Sequence, residues 1–293
     1  MYPRTTVAGR GFTRRFDNRG ISAASVDSYY HWFRGMTMSI ELFSVQTLLC
    51  CLAFFFAGIV DSITGGGGLI TIPAMLAAGI PVRFITGTNQ CSTWIGTGVA
   101  AFKYMRSGNI HLKSALITLP FALIGSYLGA RLNMIVPVHY LKIFMLVMVP
   151  VIAAFIFANK NLGDSDHIDQ KSGASIVLWS AAIGLLLGAY QGFYGPGAGL
   201  FYMLAYAAFL KLSLVKATGN TRFVIAVALI TSVATYASSG TVIWSLAAAS
   251  TVFNIAGSYL GAALAIKKGA QIIRPIMICV VALLLVKLVF DFF

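Results

Sequence analysis

Long apolar runs alternate with short polar connections between about residue 40 and residue 290. A helix needs about 20 mainly apolar residues to cross the ~30 Å hydrocarbon core of a bilayer. Most of the runs have that length, so the pattern predicts an all-α, polytopic integral membrane protein. The ten predicted segments are approximately 40–63, 67–80, 86–105, 112–133, 139–158, 173–194, 197–212, 218–238, 242–265 and 271–290.

Two of these segments, 67–80 and 197–212, are too short to cross comfortably, and each follows a glycine-rich break. We expect short tilted spans or re-entrant pieces there. The first break contains the four consecutive glycines Gly65–Gly68, and the second lies in Gly188–Gly199, which reads GAYQGFYGPGAG. Lipid cannot satisfy a broken backbone, so each break must face protein or water. Paired breaks of this kind are typical of a transporter's binding site.

The two halves of the chain repeat. The string GSYLGA occurs at 125–130 and again at 257–262, an offset of 132 residues. Further pairs match in the same order: Tyr104 and Gly108 with Tyr236 and Gly240 at the same offset, ITGTNQ (85–90) with KATGNT (216–221), and Gly58 and Gly65 with Gly188 and Gly195 at an offset of 130. Ordered matches at nearly constant offset indicate a duplication.

The duplication divides the chain into four predicted parts. Residues 36–160 form the first membrane repeat, 161–172 a polar linker and 173–293 the second repeat. Residues 1–35 are polar and Arg-bearing. A targeting extension, a disordered cytoplasmic tail and a non-native extension from an upstream start codon all stay open for them.

Charge predicts that the halves are inverted. Putting loops 103–113, 159–172, 211–216 and 265–274 in the cytoplasm gives ten Lys and Arg inside, against three outside. The positive-inside rule favours this orientation. It places both termini outside, which the Arg-rich tail opposes, so the side of the termini stays open.

Composition and charge limit the kinds of partner that the chain can bind. The chain is 58% hydrophobic and only 10% charged, with a formal net charge of +13. No soluble domain is left to bind nucleic acid, so we interpret the positive charge as topology signal and lipid-headgroup contact. A homodimer is left open. The sequence contains no metal-ligand spacing, phosphate loop or nucleophile with an evident base, so we expect no enzyme activity, catalytic residue, metal or cofactor.

Two charged residues inside the apolar body stand out. Arg222 is a candidate counter-charge for an anionic substrate, because an Arg within a span is expensive and usually functional. Snorkelling to the interface is the alternative. Asp61 is a candidate proton relay or partner of Arg222, and an exposed interfacial carboxylate is its alternative.

The broken helices suggest further ligands, because a helix N-terminus offers free N–H groups and a partial positive charge. Close packing is the alternative for the glycines, N-capping for the Thr and Asn residues, and an interfacial aromatic belt for Tyr194. The predicted substrate-binding set is Asp61, Thr64, Gly65, Gly66, Gly67, Gly68, Thr88, Asn89, Gln90, Gln191, Tyr194, Gly195, Gly197, Asn220 and Arg222.

These motifs resemble a known family. The stretch from Ala57 to Gln90, the second-half GFYGPGAGLFYMLAY (192–206), VKATGNTR (215–222) and KKGAQIIRPIM (267–277) are similar to the sulfite exporter TauE/SafE family. The resemblance implies a permease of the bacterial inner membrane with duplicated halves.

With the residues above, the resemblance favours a transporter of small anions, most of all sulfur oxyanions, organosulfonates or carboxylates. We expect alternating access, with proton coupling through Asp61. A passive anion channel and a membrane anchor subunit of an enzyme complex are the alternatives.

Overall fold

The computed structural model describes residues 45–135, Gly163 and residues 166–292. These residues lie in one compact unit, Leu42–Phe293. The predictions made for residues 1–35 and for the segment 139–158 lie outside the described residues.

The described residues form nine α-helices and one short 3₁₀ helix, Ile168–Gln170. Five of the α-helices are long and apolar enough to cross a membrane: α1, α4, α5, α7 and α8. The prediction of an all-α, polytopic membrane protein is confirmed. The helices are α1 Val45–Thr64, α2 Gly68–Ala77, α3 Val82–Arg106, α4 Leu112–Asn133, α5 Gly173–Phe193, α6 Ala198–Phe209, α7 Leu214–Ser238, α8 Trp244–Lys268 and α9 Ala270–Phe292.

The two short helices follow the predicted breaks. Helix α2 has 10 residues and α6 has 12. At 1.5 Å per residue they extend about 15 and 18 Å, half the hydrocarbon thickness. Before them the chain bends at Gly65 and Gly195, whose φ angles of +88° and +91° lie in the left-handed region that glycine adopts without strain.

Helices α3 and α7 begin four residues before the predicted starts at 86 and 218. Pro81 precedes α3 in an extended conformation, and the Ser213 side chain caps α7 by accepting from the Lys216 N–H. Pro pre-sets a helical φ but lacks a donor, and Ser is a favoured cap, so both starts are chemically ordinary. Thr88 and Asn220 therefore lie inside their helices, and N-capping, the alternative to a ligand role for them, is wrong.

Each GSYLGA string contains a GxxxG pair, Gly125/Gly129 and Gly257/Gly261, and these glycines pack one half of the chain against the other. A Cβ atom at Gly125 would lie 2.4 Å from the Leu185 carbonyl oxygen of α5, so α4 and α5 touch backbone to backbone. In the same way, a Cβ atom at Gly257 of α8 would lie 2.0 Å from the Phe55 carbonyl oxygen of α1. Small residues allow such close approach, which substitutes for the hydrophobic drive that lipid cannot supply.

Helices α3 and α7 cross in opposite directions. The Trp94 side chain of α3 donates to the Ala226 carbonyl of α7 at 3.0 Å, 132 residues away. Gly87, near the start of α3, packs against the Thr241 carbonyl beyond the end of α7, and Gly219, near the start of α7, packs against the Asn109 carbonyl beyond the end of α3. Corresponding residues of the two halves therefore exchange corresponding contacts.

We expect Gly257→Ala to lower the stability of the folded protein by about 1–3 kcal/mol, because the added methyl has no room beside the Phe55 carbonyl. Gly98→Ala is the matched control, since Gly98 of α3 has open space around it and alanine favours helix. Thermal unfolding of the detergent-solubilised variants measures both. A Gly257→Ala protein as stable as Gly98→Ala would show that the α1–α8 contact is loose.

His111 caps α4 in the connection after α3. The ring Nδ1 of His111 accepts a hydrogen bond from the Ser114 backbone N–H at 3.2 Å. The backbone N–H of His111 donates to the Asn220 side-chain Oδ1 at 2.7 Å. Burial lowers the pKa of His111 below its usual value of about 6.5, and the positive charges of Lys216 and Lys113 lower it further. The carboxylates of Asp166 and Asp169 oppose this without reversing it. A protonated ring cannot accept the cap bond, so the fold favours the neutral form.

The wild-type protein should therefore lose stability as the pH falls below about 6.5 and through the lower pKa of folded His111. The stabilising contribution is fully present above pH 6.5, because the ring is then neutral in both states. His111→Asn keeps a cap acceptor that does not titrate. Melting temperatures from pH 5 to 8 should fall less steeply for this variant, and parallel curves would contradict a role for His111.

Candidate functional site

The two glycine-rich breaks meet in the middle of the molecule. Gly65 and Gly199 are in contact: a Cβ atom at Gly65 would lie 2.3 Å from the Gly199 Cα. Gly68 packs against Pro196 in the same region. Any larger side chain would separate the two breaks, so the glycines are required for the crossing.

A small cavity of about 30 Å³ lies beside this crossing. That is room for about one or two water molecules. Both breaks and both crossing helices contribute to its wall. The lining residues are Asp61, Gly65, Gly68, Asn89, Gln90, Thr93, Thr97, Gln191, Gly195, Gly199, Arg222, Ile225 and Leu229.

An ion pair lies in this wall. Arg222 Nη1 donates to Asp61 Oδ2 at 2.6 Å, and the Arg222 side chain is only 1% exposed. Snorkelling is therefore excluded for Arg222, and Asp61 is its partner, as one of the two predictions had it. Among the described residues, Arg222 Nε and Nη2 have no hydrogen-bond partner. Two of the three guanidinium nitrogens, with three of its five N–H groups, are thus unused, at a cost of the order of 1–3 kcal/mol for each unsatisfied group.

The second oxygen of Asp61 faces the start of α2. Asp61 Oδ1 accepts from the Gly67 N–H at 3.2 Å. The helix N-terminus at the first break, which was predicted to bind an anion, therefore binds a carboxylate of the protein itself. Asp61 stands where the partial positive charge of the helix N-terminus and the guanidinium both attract an anion.

Gln90 supplies an acceptor to the same cavity. Its Nε2 donates to the Gln191 carbonyl at 3.0 Å, while its Oε1 is buried without a partner. The neighbouring Asn89 Oδ1 accepts a hydrogen bond of 2.6 Å from the Thr71 hydroxyl. Gln90 thus differs from Asn89 in keeping one oxygen free to bind.

The duplication relates these groups to one another. Gly87 and Gly219 make corresponding contacts, so the offset between α3 and α7 is 132 residues, one more than the matched strings 85–90 and 216–221 imply. In this register Gln90 corresponds to Arg222. At the offset of 130, Asp61 corresponds to Gln191. One pair is charged and its counterpart is neutral, and all four residues line the cavity.

Eight of the fifteen predicted residues line the cavity: Asp61, Gly65, Gly68, Asn89, Gln90, Gln191, Gly195 and Arg222. The other seven do not line the cavity and make other contacts. Their positions are as follows: the Thr64 hydroxyl donates to Val60, Gly66 packs on Val280, Gly67 binds Asp61, Thr88 accepts from the Ile243 N–H, Asn220 binds His111, Tyr194 packs near Tyr190, and Gly197 precedes α6 with a φ of +75°.

Five lining residues escaped the sequence prediction: Thr93, Thr97, Gly199, Ile225 and Leu229. Helical spacing could have found four of them. Thr93 and Thr97 follow Gln90 by three and seven residues, and Ile225 and Leu229 follow Arg222 by the same steps. Such residues lie on one helix face. Within the described ranges, no group of three or more His, Cys, Asp or Glu residues is placed to hold a metal ion.

Comparison with known proteins agrees with this architecture. The family model "Sulfite exporter TauE/SafE" matches residues 50–288. A probable membrane transporter protein, ORF9, of Sinorhizobium sp is 35% identical over 82% of this chain and 91% of its own length. The probable membrane transporter proteins YfcA of Escherichia coli K12 and that of Haemophilus influenzae are 32% and 30% identical, over 86% and 87% of this chain and 93% and 98% of their own lengths.

The chain is a multi-pass membrane transporter protein by fold and by these relatives. It belongs to the sulfite exporter TauE/SafE family. No solved structure matches it.

The coupling between Asp61 and Arg222 can be tested by neutralising each residue alone and then both together. We expect Asp61→Gln to destabilise the protein by about 3–5 kcal/mol, because it leaves the Arg222 charge buried without its partner. Adding Arg222→Gln should restore most of this loss, since the double variant leaves no unpaired charge buried. Thermal unfolding of the single and double variants completes the cycle. Additive losses would mean that the two side chains are not coupled.

Proposed function

We propose that this protein carries small anions across the membrane, most of all sulfur oxyanions, organosulfonates or carboxylates. One observation carries the proposal: a buried guanidinium with two unused donors lines a cavity at the crossing of two broken helices. Arginine's planar donors suit the geometry of sulfonate and carboxylate oxygens. The name of the family adds support, as its members include sulfite exporters.

Alternating access in an inner-membrane permease is the mechanism we propose, with the halves as an inverted repeat. The antiparallel crossing of α3 and α7, which are corresponding helices, supports the inversion. The cavity is too small for a sulfonate in this conformation. A carrier must widen it during transport, and the crossing of the breaks is where widening would expose the unused donors.

Asp61 provides a route to proton coupling. Its carboxylate takes one Arg222 donor and the Gly67 N–H, so it competes with an anionic substrate for the same positive charge. Protonation of Asp61 would weaken both contacts and release the donors to the substrate. A proton and an anion would then bind together.

Flux into liposomes reconstituted with the purified chain tests the proposal. We expect saturable uptake of sulfite or a sulfonate by the wild type, accelerated by an inward proton gradient. The Asp61→Gln/Arg222→Gln protein should fold but transport at least about a hundredfold more slowly, because no cation remains at the cavity.

Gly98→Ala is the control variant and should transport like the wild type, since Gly98 lies away from the cavity wall. Linear, proton-independent flux would indicate a passive channel instead of a carrier. Normal flux through the double variant would remove the Asp61–Arg222 pair from the substrate site.

A further inference from the structure

The unused hydrogen-bonding groups of the cavity are of two opposite kinds. Arg222 presents the donors Nε and Nη2, and Gln90 presents the acceptor Oε1. Both side chains are almost completely buried, at 1% and 2% exposure, and both line the same cavity. A substrate with acceptors alone would satisfy the arginine and leave the glutamine oxygen unpaired.

The α3 wall is rich in acceptors beyond Gln90. The Thr93 hydroxyl donates its hydrogen to the Asn89 carbonyl, and the Thr97 hydroxyl donates to the Thr93 carbonyl. Each hydroxyl has one hydrogen, so each oxygen can only accept from anything else. On α7 the equivalent positions are the apolar Ile225 and Leu229.

We propose that this cavity selects anions that also carry a hydrogen-bond donor, and that Gln90 is the specificity-determining residue. The inference rests on the anion transport proposed above and names its substrate class: short sulfonates or carboxylates bearing a hydroxyl or amino group. In the widened cavity the anionic group binds Arg222, the donor binds Gln90 Oε1, and the carbon chain between them lies along Ile225 and Leu229.

The physical reason is the cost of an unpaired acceptor. An oxyanion oxygen placed against Gln90 Oε1 brings two acceptors together, whereas a hydroxyl turns the same approach into a hydrogen bond. Sites built to bind a polar group discriminate against the analogue that lacks it, because their buried partner is left unsatisfied.

A pair of probes of nearly equal size tests the proposal. 2-Hydroxyethanesulfonate and propane-1-sulfonate differ by a hydroxyl in place of a methyl group. We expect the wild type to bind the hydroxy compound at least about tenfold more tightly, measured by calorimetry on the purified protein. Gln90→Met should lose this preference while it still binds propane-1-sulfonate, because Arg222 is unchanged.

Gln90→Glu is the second variant and keeps an acceptor. It should bind both probes more weakly, through charge repulsion, but retain the preference for the hydroxyl. Equal affinity of the wild type for the two probes, or an unchanged preference in Gln90→Met, would overturn the role of Gln90. Failure of the wild type to bind these and every other anion tested, including sulfite, would instead overturn the proposed function.

Discussion

A buried guanidinium with only one of its three nitrogens hydrogen-bonded is the constraint on which the rest of the structure depends. Arg222 is 1% exposed, and one carboxylate meets only one of its arms. Removing such a charge from water is costly unless partners surround it. The structure brings the Asp61 carboxylate and the polar α3 face to the arginine, and it brings them close because the breaks at Gly65 and Gly199 touch. Glycine at these two positions therefore lets the breaks come close enough for Asp61 and the α3 face to reach Arg222, and Gly65 also allows the bend.

The duplication accounts for the matching contacts of the two halves, and divergence between their sequences accounts for a charge on only one side of the cavity. Corresponding residues exchange corresponding contacts: Tyr104 donates to the Ser62 carbonyl at 3.0 Å, and Tyr236 donates to the Gly192 carbonyl at 2.9 Å. A fully symmetric site would place a second cation beside Arg222, and like charges at short range in low dielectric repel strongly. Gln90 at that position keeps the hydrogen-bonding capacity without the charge. The halves therefore share a backbone frame while the cavity has one charged and one neutral side.

The sequence predicted those features of the site that are unusual in a membrane helix. Four glycines in one apolar run and an Arg in a span each break a strong rule for membrane helices, so the breaks and Arg222 were found. Thr93 and Ile225 break no rule, and only the helical spacing from Gln90 and Arg222 distinguishes them. The starts of α3 and α7 were predicted four residues too late, because polar residues inside these helices resemble caps. The helices in fact begin directly after Pro81 and Ser213. Thr88 and Asn220 do accept backbone N–H bonds, but from residues next to α8 and α4, which no local pattern reveals.

The packing also indicates which contacts can change as the cavity widens. Helices α1 and α8, and likewise α4 and α5, meet backbone to backbone through glycine, and such contacts cannot slide by a small amount without a clash. Helices α3 and α7 meet around a cavity and are tied by side-chain bonds such as Trp94 to Ala226, which can break and re-form singly. Helix α3 also packs on α8, and α7 packs on α4, so movement of the α1–α3–α8 group against the α4–α5–α7 group requires the fewest contacts to be lost. Because Asp61 belongs to α1 and Arg222 to α7, that movement would stretch the ion pair. In the mechanism proposed above, neutralising Asp61 would therefore make the opening of the cavity easier.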